Sequence, residues 1–96
     1  MTGPACIRID LSPVTSAHQL HATLAQALHF PAIYGNNWDA FWDAITGLVA
    51  MPQPLELAGW PGLERRLPRE AALLLQSLTR MAEQFPSLAP QLRMMA

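Results

Sequence analysis

The feature that most limits the fold of this chain is its alternation of two apolar rhythms. Short segments with a period of two are separated each time by segments with helical spacing. Strands kept apart by helices favour a parallel sheet with the helices packed on it. Residues Cys6 to Leu11 open the series. Ile7, Ile9 and Leu11 alternate with Arg8 and Asp10, the pattern of a half-buried strand, and Pro13 ends it. Cys6 is expected to sit inside that strand as a small hydrophobe. Ser16 with Gln19 three residues on has the form of a capping box. Leu20, Leu24, Ala27 and Leu28 then predict a helix over Ala17 to Leu28, stopped by Pro31. Gly35, Asn36 and Asn37 supply a turn and an N-cap for a second helix, Trp38 to Leu48, with Gly47 near its end. Leu55 to Leu57 reads as a short strand. Pro61 suits the first turn of a short helix from Gly62 to Arg66, and Pro68 opens the longest helix, Arg69 to Gln84. Leu74, Leu78, Met81 and Phe85 form its stripe, with Leu75 and Ala82 beside it. Gln91 to Met95 reads as a last strand. The expected fold class is α/β, a three-stranded parallel sheet packed with about four helices. It forms one domain over residues 1–96, since the prolines punctuate elements and mark no linker.

Composition narrows the function. Hydrophobic residues make up 51% and charged residues 14%, enough apolar side chains for a packed core. A net charge of -1 points to neither direct nucleic acid nor membrane binding. All six basic residues are arginines, and Arg65, Arg66 and Arg69 cluster among Glu64 and Glu70. That cluster reads as a solvated mixed-charge surface, because a nucleic-acid site needs a larger basic stripe. One cysteine permits no internal disulfide, which fits a reducing compartment. The first residues lack a basic segment followed by an apolar one, so no leader is expected and the cytoplasm is the expected location.

The chemistry lies in the segment from Tyr34 to Gly47. At about 100° per residue, Trp38, Phe41 and Ile45 share a buried stripe. Ala40 and Ala44 form a second, small face. Asp39, Asp43 and Thr46 form a third, with Trp42 between it and the stripe. Two carboxylates one turn apart repel each other by a few tenths of a kcal/mol on an exposed helix. The helix dipole favours Asp39 in the first turn and helps Asp43 less. No lysine or arginine occurs from Ala32 to Pro61 to neutralise them. Two solvated aspartates on an outer face is the plain reading. Three functional readings stand beside it. Metal ligation lacks further ligands, because His18, His21 and His29 lie together elsewhere. Acid–base chemistry lacks a nucleophile and an oxyanion hole. Binding to a cationic surface fits best, since a carboxylate on a rigid helix can stand in for a phosphate. No cofactor or metal is expected, and the protein is not expected to be an enzyme.

The segment Tyr34-Gly35-Asn36-Asn37-Trp38-Asp39-Ala40-Phe41-Trp42-Asp43-Ala44-Ile45-Thr46-Gly47 resembles the barstar family of ribonuclease inhibitors. It matches the family pattern of Tyr-Gly, Asn, Asp-Ala, Trp-Asp and Thr-Gly at the same spacing. The likeness extends upstream through Leu20-His21-Ala22-Thr23-Leu24 and Pro31. The resemblance implies a monomer that binds a cognate small ribonuclease and plugs its basic active-site cleft with the second helix. It implies that Asp43 mimics an RNA phosphate and that Asp39 supports it. Asn37, Trp38, Ala40, Trp42, Thr46 and Gly47 would supply surrounding contacts. Three positions depart from the family's best-known type. Ile33 replaces an aromatic residue, Leu48 replaces a tryptophan after the Thr-Gly pair, and Arg80 falls where that type has an interface glutamate. These departures imply a different partner. They also leave open a non-inhibitory module that binds another basic protein or a toxin that is not a ribonuclease.

Overall fold

The computed structural model describes residues 5–96. The reading that no leader opens the chain rests largely on residues 1–4, which lie outside them. The elements run β1 (Ala5–Asp10), α1 (Ala17–Leu28), α2 (Trp38–Asp43), a π-helical turn (Ala44–Leu48), β2 (Gln53–Ala58), α3 (Trp60–Arg66), α4 (Pro68–Gln84) and β3 (Leu92–Met94). The sheet is parallel throughout, in the order β1-β2-β3, with Ile7 opposite Leu55 and Leu55 opposite Leu92. The fold is therefore the expected α/β arrangement of a three-stranded parallel sheet and four helices.

The period-two pattern sorts β1 and β2 into two faces. Ile9, Leu55 and Leu57 are buried with Leu20, Leu24, Phe41, Ile45, Leu74, Leu78 and Met81 in a single apolar cluster. The opposite face carries Cys6, Arg8 and Asp10, which are exposed. Cys6 is thus in β1 but not among the hydrophobes, which corrects the expectation of a buried cysteine. Its register places it on the side that no helix covers. Glu56 lies between two arginines on that face. Arg8 Nε reaches its Oε1 at 3.1 Å, and Arg93 reaches its Oε2 at 3.3 Å. The Arg8 guanidinium holds the Glu56 carboxyl below the usual carboxylate range, with burial opposing and Arg93 assisting. The three residues are adjacent across the sheet because Arg8 pairs with Glu56, and Glu56 with Arg93.

Capping follows the sequence closely in α1. Ser16 Oγ accepts from Gln19 N–H at 3.1 Å, while Gln19 Oε1 accepts from the Thr15 N–H rather than from that of the cap. The helix ends at His29 in the left-handed conformation, φ 60°, a region that histidine visits more readily than most residues. Gly59 opens α3 with φ 74°. A Cβ there would stand 2.6 Å from Ser12 Oγ and 2.9 Å from Ser12 N, so this turn requires glycine.

One arginine of the 65–69 cluster is not simply solvated. Arg66 Nε and Nη2 donate to the carbonyls of Val14 and Leu11, both at 2.9 Å. This corrects the reading of the cluster as surface charge alone, for a physical reason. The loop after β1 turns two carbonyls away from the ladder, and a planar donor fork reaches both, Leu11 O also accepting from Val14 N–H at 3.1 Å. Hydrogen bonds from charged groups contribute about 1.5–3 kcal/mol. Arg66→Ala should accordingly lower the unfolding free energy by about 2 kcal/mol in urea titration, whereas Arg65→Ala should change it by less than about 0.5 kcal/mol.

Candidate functional site

The helix with the paired aspartates is held from behind by aromatic packing. Phe41 is fully buried, and its ring lies 5.3 Å from Trp38 and 5.8 Å from Phe30. His21 of α1 is buried too, 4.4 Å from the Trp38 ring. The Trp38 indole N–H donates to Glu70 Oε1 at 3.0 Å, which ties the start of α2 to α4. His21 Nδ1 lies 2.6 Å from the Tyr34 hydroxyl. Burial pushes the Tyr34 phenol up to about 12, so it keeps its proton. Burial also pulls the His21 imidazole below its ordinary value, opposed by Glu70 and aided by His18. A neutral imidazole accepts the hydrogen bond of the Tyr34 O–H at Nδ1.

This histidine makes stability depend on pH. The unfolded chain takes up a proton at His21 near the ordinary value of 6.5, while the folded chain takes it up only at lower pH. Stability is thus whole above about 6.5 and falls as the pH drops through the folded-state value. NMR titration of the imidazole should give a midpoint below 6.5. The urea midpoint should decline as the pH falls below about 6.5.

The turn before α2 is set by two asparagines. Asn36 takes φ 52°, which asparagine tolerates. Asn37 is the N-cap, its Oδ1 accepting from Ala40 N–H at 2.7 Å and its Nδ2 donating to Gly35 O at 3.2 Å. A Cβ on Gly35 would stand 3.1 Å from Asn37 Nδ2, so glycine lets the cap approach. Removing this cap should cost about 1 kcal/mol in Asn37→Ala, and Asn37→Asp should recover only part of it, keeping the acceptor for Ala40 N–H but losing the donor to Gly35 O. Thermal melting of the two variants measures the difference.

Beyond Asp43 the helix widens. Val49 N–H reaches back five residues to Ala44 O at 3.1 Å, and the Thr46 hydroxyl donates to Trp42 O at 2.7 Å. Such back-bonding by threonine accompanies bent or loosened helices. The expected single helix from Trp38 to Leu48 is thus an α segment followed by a π turn. Gly47 lies inside that turn without the left-handed conformation of a terminating glycine.

Asp39 and Asp43 are exposed, and among the described residues neither makes an ion pair. They line a groove of about 400 Å³ together with Trp42, Ser77 and Arg80. The Arg80 guanidinium lies 4.3 Å over the Trp42 ring, a contact that contributes about 0.5–1 kcal/mol at an exposed site. Ile33 stands on the turn before α2 with 89% exposure, and Leu48 on the π turn with 59%. Thr46 and Ala40 are half-buried, and Gly47 is exposed. The structure therefore gathers Asp39, Trp42, Asp43 and Arg80 around one groove, with Leu48 and Ile33 on the turns that flank α2. Trp38 also lines this groove, half-buried, with its indole N–H tied to Glu70 and its ring against His21. Among the described residues, no group of three or more His, Cys, Asp or Glu is placed to hold a metal, and no helix is long and apolar enough to cross a membrane.

Sequence reasoning did not foresee the links from His21 to Tyr34 or from Trp38 to Glu70. His21 did carry a signal, because it precedes Leu24 by three residues and Leu28 by seven, on the apolar side of α1. A histidine there needs a partner. The Arg80–Trp42 stack had no local signal, since the two residues lie on different helices.

The site thus joins an α/β fold to a helix whose outer face carries unpaired carboxylates beside an aromatic–arginine stack. Residues 5–95 match the family described as Barstar (barnase inhibitor), and the chain belongs to that family. It is also similar to a protein of Bacillus subtilis (strain 168) named "Putative ribonuclease inhibitor YrdF", 43% identical over 51 residues. That match spans 53% of this chain and 56% of the relative, a little over half of each.

Proposed function

We propose that this protein inhibits a cognate small ribonuclease by seating α2 in its active-site cleft, with Asp43 in the place of an RNA phosphate. The observation that carries the reading is the pair Asp39 and Asp43, exposed and, among the described residues, without internal counter-ions, on a helix anchored from behind. An unpaired pair of like charges gains when it meets cations that were selected to hold phosphates. Family membership and the similarity to a protein named as a ribonuclease inhibitor support the same reading. Asp39 faces the basic rim of the enzyme. Asn37, Trp38, Ala40, Trp42, Thr46 and Gly47 complete the docking face, flanked by Ile33 and Leu48. The protein acts as a monomeric antitoxin in the cytoplasm of the producing cell, over residues 1–96 as one domain, and turns over no substrate itself.

The test is RNA cleavage by barnase, and by barnase-like ribonucleases encoded in the same genome, with and without the purified protein. Stoichiometric loss of cleavage by at least one of them is expected. Undiminished cleavage by all at micromolar protein overturns the proposal. A pull-down that captures a partner without ribonuclease activity would favour the non-inhibitory module instead.

A further inference from the structure

We infer that Arg80 is a specificity determinant of the docking face, selecting a partner whose cleft bears cations opposite Asp39 and Asp43 and a carboxylate at the margin under α4. The inference rests on the inhibitory reading above and adds the partner's charge pattern to it. Arg80 is exposed, and its guanidinium is laid 4.3 Å over Trp42 on the wall of the groove that Asp39 and Asp43 also line. The ring holds the charge at the docking face rather than letting it trail into solvent. Glu83, one turn further along α4, does not pair with it within 4 Å, and neither aspartate does so. The described ion pairs are both on the open face of the sheet, around Glu56.

An arginine cannot shed its charge when it is covered. Any partner that closes over Trp42 strips water from this guanidinium. A partner with cations along its whole cleft would meet Arg80 with like charge, which is costly in a desolvated contact. A carboxylate at that margin would instead form a charge-assisted, planar pair with the fork. The groove is therefore mixed in sign, negative on α2 and positive on α4, and its complement is mixed in the opposite order.

Binding to barnase tests this, with each Lys, Arg, Asp and Glu of the barnase cleft reversed in charge one at a time. The full chain is measured as wild type, Arg80→Glu, Arg80→Met and Asp43→Ala, with circular dichroism as the check on folding. Arg80→Met keeps an apolar cover on Trp42 and removes only the charge. At one or more positions, wild type should prefer the acidic form and Arg80→Glu the basic form, each by tenfold or more. Arg80→Met should show little preference there. The absence of any position with crossed preference overturns the inference. So does a uniform tightening of every barnase form by Arg80→Met, which would make Arg80 only a screen for the aspartates. Failure of the inhibitory reading looks different. In that case Asp43→Ala binds as well as wild type and the inference falls with it, whereas no binding by any form of barnase overturns the inference alone, because the inhibitory reading is judged across all the ribonucleases tested.

Discussion

Asp43→Ala is expected to lose most of the inhibition while leaving the fold intact. Central, desolvated contacts of an interface cost about 2–4 kcal/mol when truncated. That corresponds to a loss of about 30- to 1,000-fold in affinity. The barnase–barstar complex is itself the reference case for such charged hot spots, so the scale is taken from this family rather than from the present geometry. Stability should hold, because Asp43 is exposed and makes no ion pair among the described residues. Removing it relieves repulsion with Asp39 and introduces a better helix former. Glu83→Ala is the control. Glu83 is exposed on α4 and bears no part of the proposed phosphate mimicry. Titration of ribonuclease activity against each variant, with melting curves in parallel, measures both quantities. Equal losses from Asp43→Ala and Glu83→Ala would remove the phosphate-mimic role.

Phe41→Ala should produce the opposite signature, a large loss of stability with inhibition failing only as the fold does. The Phe41 side chain is fully buried between Trp38 and Phe30, under the helix that carries the aspartates. Truncating a buried phenylalanine costs about 3–5 kcal/mol, from lost transfer energy and the cavity left behind. The whole stability of a domain of this size is about 5–15 kcal/mol. A fall in melting temperature of roughly 15–25 °C follows. Phe41→Leu should lose far less, because most of the volume is kept. The two variants separate the outer face of α2, which is proposed to bind, from the inner face, which holds it in place. If Phe41→Ala melted near wild type, the ring could not be the anchor of α2 described above.

Much of this architecture was legible in the residues. Ile7 and Ile9 alternating with Arg8 set β1, and the helical spacing of Leu20, Leu24 and Leu28 set α1 from Ala17 to Leu28, the bounds observed. Asn37 was readable as the N-cap of α2 because a capping side chain bonds to its own helix. The change from α to π geometry after Asp43 was not readable. It depends on where Val49 N–H finds its acceptor, and apolar spacing does not report a one-residue shift in hydrogen bonding. The exposure of Cys6 was legible as well, since period two sets it with Arg8 and Asp10 opposite Ile7 and Ile9, and the expectation of a buried thiol followed its apolar character against its register.

The candidate site divides in the same way. By itself, the sequence determined that Asp39 and Asp43 share one face of α2 and that no local cation neutralises them, since both follow from helical period and composition. Only the tertiary structure decided what stands around them. It brought Arg80 of α4 onto Trp42, Glu70 onto the Trp38 indole, and His21 of α1 against Tyr34. The first two join α2 to α4, far apart along the chain, and the third folds the turn after α1 back onto that helix. Their pairing is fixed by how the helices pack on the sheet, which no local pattern of residues encodes.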